Sequence, residues 1–477
     1  MSRSTELAKN TAILTIGKVC TQSISFFLLP FYTAVLSTEE YGTYDLFLTY
    51  ATLLLPLVNW QMDQGLFRFM LERRGNNEKI TALFSTLFCT SIIQGVIYTV
   101  LFILIVPFLH IQNSYFLLLY VLLHIFTQLL LQFVRGLGKS VKYTVASFIS
   151  ASSTTVFNVI FLVFIHMGLT GLFFSTIVAQ ILTLIYLVFT SKCWRYFSFS
   201  KTDMSLFKSV CRFSVPLVPN NLAWWVVNAS DRTIISYFIN AGANGIYTVA
   251  NKFPHVFISF YNILNLSLTE TISVHFNDED REEFLTETLT SLFKLFASAC
   301  FVIVAAMPFI FPIIVNKKYE ESYNQILILM YAMFFRVLVG LFSCIYIAQK
   351  DVKKVASTSM AAAAINIVVD LLLIKKIGVY AASISTLVAF FAMFIIRYIP
   401  ISRTLNIKIA AKTLVSTIIM GLFLAVTYYC GNIIIQALAL IVTVTYAVIY
   451  NLDMIKVGYN IVTKKLGLKK VSQNSAK

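Results

Sequence analysis

From Thr11 to Asn451 the chain alternates between apolar runs of roughly 20 residues and short polar breaks. The runs are long and continuous. They lack the strict alternation that a membrane β-barrel strand requires, so the pattern predicts an all-α polytopic membrane protein. About fourteen helices are expected. The first seven are Thr11–Leu36, Tyr44–Gln61, Ile80–Val106, Tyr115–Phe133, Tyr143–Met167, Gly171–Thr190 and Phe213–Ile239. The others are Gly245–Ile272, Leu292–Val315, Tyr323–Ala348, Val355–Ile374, Gly378–Ile399, Ile409–Tyr429 and Ile433–Asn451. Tyr115–Phe133 and Gly378–Ile399 are the clearest spans. The break at Gly168–Gly171 is the weakest, because it carries no charge. A polar lead precedes a first apolar run too long for a signal-peptide core of roughly 7–15 residues, so that run is expected to stay as a helix.

The Lys and Arg distribution orients these spans. With both termini in the cytoplasm, twenty-eight of these cations fall in inside segments, Arg397 among them. Only Lys317, Lys318, Lys375 and Lys376 fall outside. The acidic stretch Asp278–Glu283 reads as a solvated inside loop. The tail after Asn451, with Lys464, Lys465, Lys469 and Lys470, is expected to meet anionic lipid.

The two halves resemble each other. At an offset of 203, Lys9 meets Arg212, Gly42 meets Gly245, Tyr44 meets Tyr247 and Asn59 meets Asn262. At 210, Gly168 meets Gly378, and the run Ser175 to Ala179 meets Ser385 to Ala389; Lys139–Lys142 also resembles Lys350–Lys353. The unit is six helices. An even unit keeps both copies in one orientation, so the two lobes should be related by a pseudo-two-fold along the membrane normal, with alternating access between them. The expected organisation is residues 1–205 for the first lobe, 206–405 for the second, 406–455 for two extra helices and 456–477 for a basic cytoplasmic tail.

Composition narrows the function. The 477 residues are 58% hydrophobic and 12% charged, against about 25% charged in soluble proteins. A water-soluble enzyme is excluded. The net charge of +16 sits in short loops between apolar runs, which favours topology and lipid contact over nucleic acid. The seven cysteines form no CxxC pair and read as core residues. Gly138-Lys139-Ser140 mimics the end of a phosphate-binding loop, but Phe133 stands where that motif needs glycine. No metal spacing or catalytic triad is present. Every outside loop is too short to carry enzyme chemistry.

Charge inside a span is costly and needs a reason. The mid-span charges are Lys18, Asp231, Arg232, Lys252, Arg336 and Asp370. Asn221, Asn228 and Arg232 share one helical face; Asn251, His255 and Asn262 form a stripe on the next helix. These stripes suggest a wet cavity wall in which cations lead, suited to an anionic solute such as a phosphate. The cavity candidates are Arg232, Lys252, Lys18, Asn228, Asn221, Asn59, Asn262 and His255. Asp231 and Asp370 are candidates for ion coupling. The structural alternatives are that Lys18 and Lys252 snorkel or pair, and that Arg232 pairs with an acid such as Asp231 or Glu270. His110, His124 and His166 read as satisfied core or interfacial residues.

The segment from Asn10 to Arg68 resembles the opening of the polysaccharide-unit flippases, of the O-antigen and capsule type. These belong to the multidrug/oligosaccharidyl-lipid/polysaccharide exporter superfamily. The matching features are Asn10, Pro30-Phe31-Tyr32, Glu40-Tyr41-Gly42-Thr43-Tyr44, Gly65 and Arg68. Pro216, Pro219, Asp231-Arg232, Gly245-Ile246-Tyr247 and Lys252 are similar in the second half. The resemblance implies transport of undecaprenyl-diphosphate-linked sugar units across the bacterial inner membrane. It implies a cationic cavity for the headgroup, no cofactor and no ATP, and coupling to H+ or Na+ in some relatives. The implied partners are the lipid-linked oligosaccharide, membrane lipids and other polysaccharide-assembly proteins, with no nucleic acid. Two alternatives in the same superfamily stay open: a lipid II-type flippase and a cation-coupled multidrug antiporter.

Overall fold

The structure, a computed structural model, describes residues 26–109, 113–349, 351–407 and 409–456. All regular structure among them is helical. In chain order the helices are α1 (Leu29–Val35), α2 (Thr38–Asn59), α3 (Met62–Leu71), α4 (Asn77–Leu109), α5 (Ser114–Gly136) and α6 (Ser140–Val159). They continue as α7 (Gly168–Ser191), α8 (Met204–Ser214), α9 (Leu217–Phe238), α10 (Ala241–His275) and α11 (Arg281–Ile314). The last are α12 (Tyr323–Ala348), α13 (Val352–Ile377), α14 (Tyr380–Thr404), α15 (Ala411–Tyr429) and α16 (Ile433–Tyr450).

The second to fourteenth expected spans each coincide with a helix. The first lies mostly outside the described residues, and α1 is its end. Ten spans among the described residues are long and apolar enough to cross a membrane. Helices α2, α9 and α10 fall short of that measure because they carry the polar residues discussed below.

Several ends differ from the apolar pattern, for local reasons. Helix α2 begins at Thr38 because Ser37 and Glu40 form a reciprocal cap: Glu40 N donates to Ser37 Oγ at 3.2 Å and Ser37 N to Glu40 Oε2 at 2.9 Å. Trp60 and Gln61 take left-handed conformations and turn the chain into α3. The acidic stretch is not wholly a loop: Glu282 and Glu283 form the first turn of α11, where negative charge complements the helix dipole. Helices α3 and α8 are short amphipathic pieces outside the apolar spans, α8 being capped by Asp203.

The chain divides into two compact units. The first holds the described residues of Met1–Ser259 with Ile314–Ser322 and Ser359–Thr386; the second holds Phe260–Ile313, Tyr323–Thr358 and the described residues from Leu387 onward. In the first unit a core of Leu66, Phe84, Phe133, Leu187 and Val210 joins α3, α4, α5, α7 and α8. In the second unit the two last helices are tied to α11 and α12. Tyr331 donates to Gly421 O at 2.7 Å, the Tyr323 and Tyr428 rings stack 4.3 Å apart, and Asn451 Nδ2 donates to Ser298 Oγ at 2.8 Å.

The second unit corrects the assignment of Arg397 to an inside loop. Its side chain is 1% exposed and donates to Thr358 Oγ1, Val339 O, Val355 O and Ser343 Oγ. Arg397 stands two residues before the end of the expected span Gly378–Ile399, and helix α14 continues to Thr404, so this cation lies inside the helix packing.

Residues matched by the internal repeat do matching structural work. Gly168 and Gly378 both take left-handed conformations, φ 54° and 58°, where the sixth helix of each half begins. In the first half Tyr44 and Thr176 share a hydrogen bond of 2.9 Å. In the second, Tyr247 and Thr386 do not meet directly, and both donate to the Asp231 carboxylate. The most telling pair is Gly42 and Gly245. A Cβ on Gly42 would collide with the Ala241 carbonyl oxygen, and one on Gly245 with the Thr38 carbonyl oxygen. Thr38 and Ala241 are themselves related by 203. Residue i meeting j while the counterpart of i meets the counterpart of j is the mark of a two-fold contact. Only a residue without a Cβ allows backbones that close. Asn59 and Asn262 break the pattern. Asn59 is buried in the α2–α3 corner, donating to Asp63 at 3.0 Å, whereas Asn262 is exposed on α10, which continues without a corner.

Candidate functional site

Helices α2, α9, α10 and α13 bring the charged residues of the first unit together. Arg232, on α9, stands with Nε 2.8 Å from Asp45 Oδ2 of α2, and the two side chains are 13% and 15% exposed. The N–H is turned off that oxygen, so neither atom has a formed hydrogen bond. The contact is an ion pair with hydrogen-bonding capacity to spare. Nη1 donates to Asn228 O at 3.0 Å. Lys252 of α10 lies with Nζ 5.9 Å from the Tyr41 ring centre, within electrostatic reach of both Asp45 and Arg232. The acid that Arg232 meets is therefore Asp45, not Glu270. Asp231 and Asp370 are thus not the only acids within spans. Asp45 passes unnoticed in the sequence because the apolar run starts at Tyr44, while its helix starts two turns earlier.

The neighbouring asparagines play smaller parts. Asn221 and Asn228 donate to carbonyls of their own helix, Leu217 O at 3.0 Å and Trp224 O at 2.6 Å. Asn251 donates to Tyr247 O at 3.1 Å. His255 is exposed, and Asn262 lies in the second unit. Arg336 also lies in the second unit, 5.8 Å from the Phe390 ring centre. Lys18 lies outside the described residues.

Beside Arg232 the chain builds a second, carboxylate-rich cluster. Asp231 Oδ2 accepts from Tyr247 at 2.7 Å and from Thr386 at 2.8 Å, while Oδ1 has no partner among the described residues. Asp370 of α13 is 0% exposed and neither of its oxygens has a partner there. The two carboxylates interact electrostatically. Asn366, one turn before Asp370, accepts from Ser230 at 3.3 Å and donates towards Ser385 and Thr386 at 3.3 and 3.4 Å. Three bare carboxylate oxygens in one buried cluster are expensive unless a cation or a proton joins them. The donor set is all oxygen, which suits a hard monovalent cation. Among the described residues no cluster of three His, Cys, Asp or Glu exists to hold a transition metal. Asn366 and Thr386 escaped the sequence-based site. Their signal was the repeat itself, which places Ser175-Thr176 against Ser385-Thr386.

The described residues form a helical membrane bundle with matched halves and charged residues buried within its helices. Solved structures agree. The chain is similar to the lipid II flippase MurJ in an inward closed conformation, with TM-score 0.70 and 15% identity, covering 93% of this chain and 100% of that one. It is also similar to an inward-facing multidrug resistance MATE family transporter of the MOP superfamily, with TM-score 0.67 and 12% identity, covering 82% and 96%. An outward-facing structure of a MATE family transporter matches with TM-score 0.58 and 14% identity, covering 83% and 96%. At such identities the likeness establishes the fold, which this chain shares with those transporters and that flippase. A comparison with curated proteins finds no match by sequence. The chain belongs to the family of polysaccharide biosynthesis proteins, which it matches over residues 7–268.

Proposed function

We propose that this protein is a flippase that carries lipid-linked oligosaccharide units across the bacterial inner membrane by alternating access, with both termini cytoplasmic. Family membership supports the polysaccharide setting, and the fold supports transport. The observation that carries the substrate reading is the group Arg232, Lys252 and Asp45: two cations share one carboxylate within apolar helices. Cations there are costly against lipid and favourable against an anion such as a diphosphate. The structural relatives include a lipid II flippase and a multidrug transporter. The cation pair favours an anionic lipid over a cationic drug.

The adjoining carboxylates supply a coupling device. Asp231 and Asp370, with Asn366 and Thr386, take up Na+ or H+. Loading them removes negative charge beside Arg232, so the anionic headgroup binds better there. By linkage the headgroup raises the affinity for the ion equally. Arg232→Ala tests the reading in cells. The protein should accumulate in the membrane while surface glycan assembly fails. Abundant Arg232→Ala protein that supports normal assembly would refute the headgroup role.

A further inference from the structure

A cleft of about 1240 Å³ lies wholly within the first unit, beside α4. Helix α2 forms one wall through Tyr50 and Leu57, Tyr237 of α9 borders it, and Met204 and Phe207 of α8 floor one end. Its lining residues on α4 run from Thr86 to Val106. Twenty residues of helix rise about 30 Å, the full thickness of the hydrocarbon core. The floor belongs to a linker rich in exposed cations: Lys192, Arg195, Lys201, Lys208 and Arg212. The one acid among them, Asp203, is engaged in capping α8. Two polar side chains interrupt the apolar wall. Gln94 and Tyr98, each 6% exposed and one turn apart, have no hydrogen-bond partner among the described residues.

We propose that this cleft holds the polyisoprenoid tail of an anionic lipid whose phosphate lies at the basic linker. The inference rests on the flippase reading and names where its substrate's tail resides. Charge complementarity selects the anionic end. Length selects the chain: a phospholipid acyl chain covers one leaflet, about half of 30 Å, whereas the cleft spans both. A headgroup that crosses while its tail stays in hydrocarbon needs a lateral slot open at every depth. Gln94 and Tyr98 lie about 12 and 18 Å along α4 from Thr86. They would meet the phosphate only after it leaves the linker to cross, at a depth where lipid offers no hydrogen bond.

Full-length protein in detergent, titrated with a long-chain polyprenyl phosphate and read by native mass spectrometry, tests this. Wild type should bind the probe saturably. The double substitution Ile93→Trp and Ile97→Trp fills the slot from side chains that are already exposed, and should weaken binding at least tenfold. Ile418→Trp, on the lipid-facing side of α15, should change nothing. A photoreactive polyprenyl phosphate on wild-type protein should label peptides within residues 86–106. Unaltered binding by the filled variant, labelling only elsewhere, or displacement by an equal concentration of phosphatidylglycerol would each overturn the cleft assignment. In those cases wild type still binds the probe and the flippase reading stands. If wild type does not bind the probe at all, both fall together.

Discussion

At the residue scale, burial and partner decide what each charge does. Arg232 and Asp45 form a pair with little exposure, and removing one partner strands the other. Asp45→Ala or Arg232→Ala alone should therefore lower the thermal midpoint of the purified protein more than the double substitution does. A double mutant less stable than either single mutant would contradict the pairing. Arg397 contrasts with it, since its partners at Thr358, Val339, Val355 and Ser343 are hydroxyls and carbonyls. Arg397→Met should remove these four hydrogen bonds at once. Val339 O and Val355 O keep the Ser343 and Thr358 hydroxyls as donors, so the cost should be about 0.5–1.5 kcal/mol for each bond lost. Thermal unfolding should show the loss, and unchanged stability would mean that these bonds contribute nothing net. The sequence showed several of the charges inside spans, though not Asp45 or Arg397, and none of their partners. Asp45 and Arg232 are 187 positions apart, and no local pattern links them. Arg397 stands at the very end of the span Gly378–Ile399, where a cation reads equally as loop, and the helix continues to Thr404.

At the element scale, helix ends and crossings were only partly legible. Apolar runs located the spans. The starts of α2 and α11 lie beyond those runs because side-chain capping and the helix dipole, not hydrophobicity, set them. Helix α8 shows how local this control is. Backbone N–H donation from Ser205 and Leu206 holds the Asp203 carboxyl below the usual carboxylate range. A depressed folded-state pKa means the cap's contribution is full at neutral pH and is lost as pH falls through that depressed value. Protection factors of the amides at the start of α8, corrected for the intrinsic exchange rate at each pH, should therefore fall on acidification, and Asp203→Ala should abolish that dependence. The Gly42–Gly245 crossing makes a sharper demand. Gly42→Ala and Gly245→Ala should each force the α2–α10 crossing apart, and to a similar extent, because the contact is reciprocal. Once one has done so, the second finds room. The double substitution should cost clearly less than the sum of the singles, and strict additivity would show that the two positions do not share one contact.

At the scale of the whole molecule, the repeat was the sequence's best guide. The residues it paired are the left-handed glycines, Tyr44 and Tyr247 with their contacts, and the two glycines of the crossing. It misled at Asn59 and Asn262, where one half bends and the other runs straight. What it could not convey was the difference between halves: Asp231 stands between Tyr247 and Thr386, where the first half has a direct bond. That difference places a carboxylate cluster beside Arg232 in one half, and with it the proposed link between ion and anionic headgroup. The direct measurement is flipping of a polyprenyl-diphosphate-linked sugar in proteoliposomes containing the purified protein, with an imposed Na+ or H+ gradient. Wild type should move the lipid between leaflets, faster with the gradient. Arg232→Ala should stop movement, and Asp370→Asn should remove the gradient's effect. Equal movement by wild type and Arg232→Ala, or none by wild type under either gradient, would contradict the account.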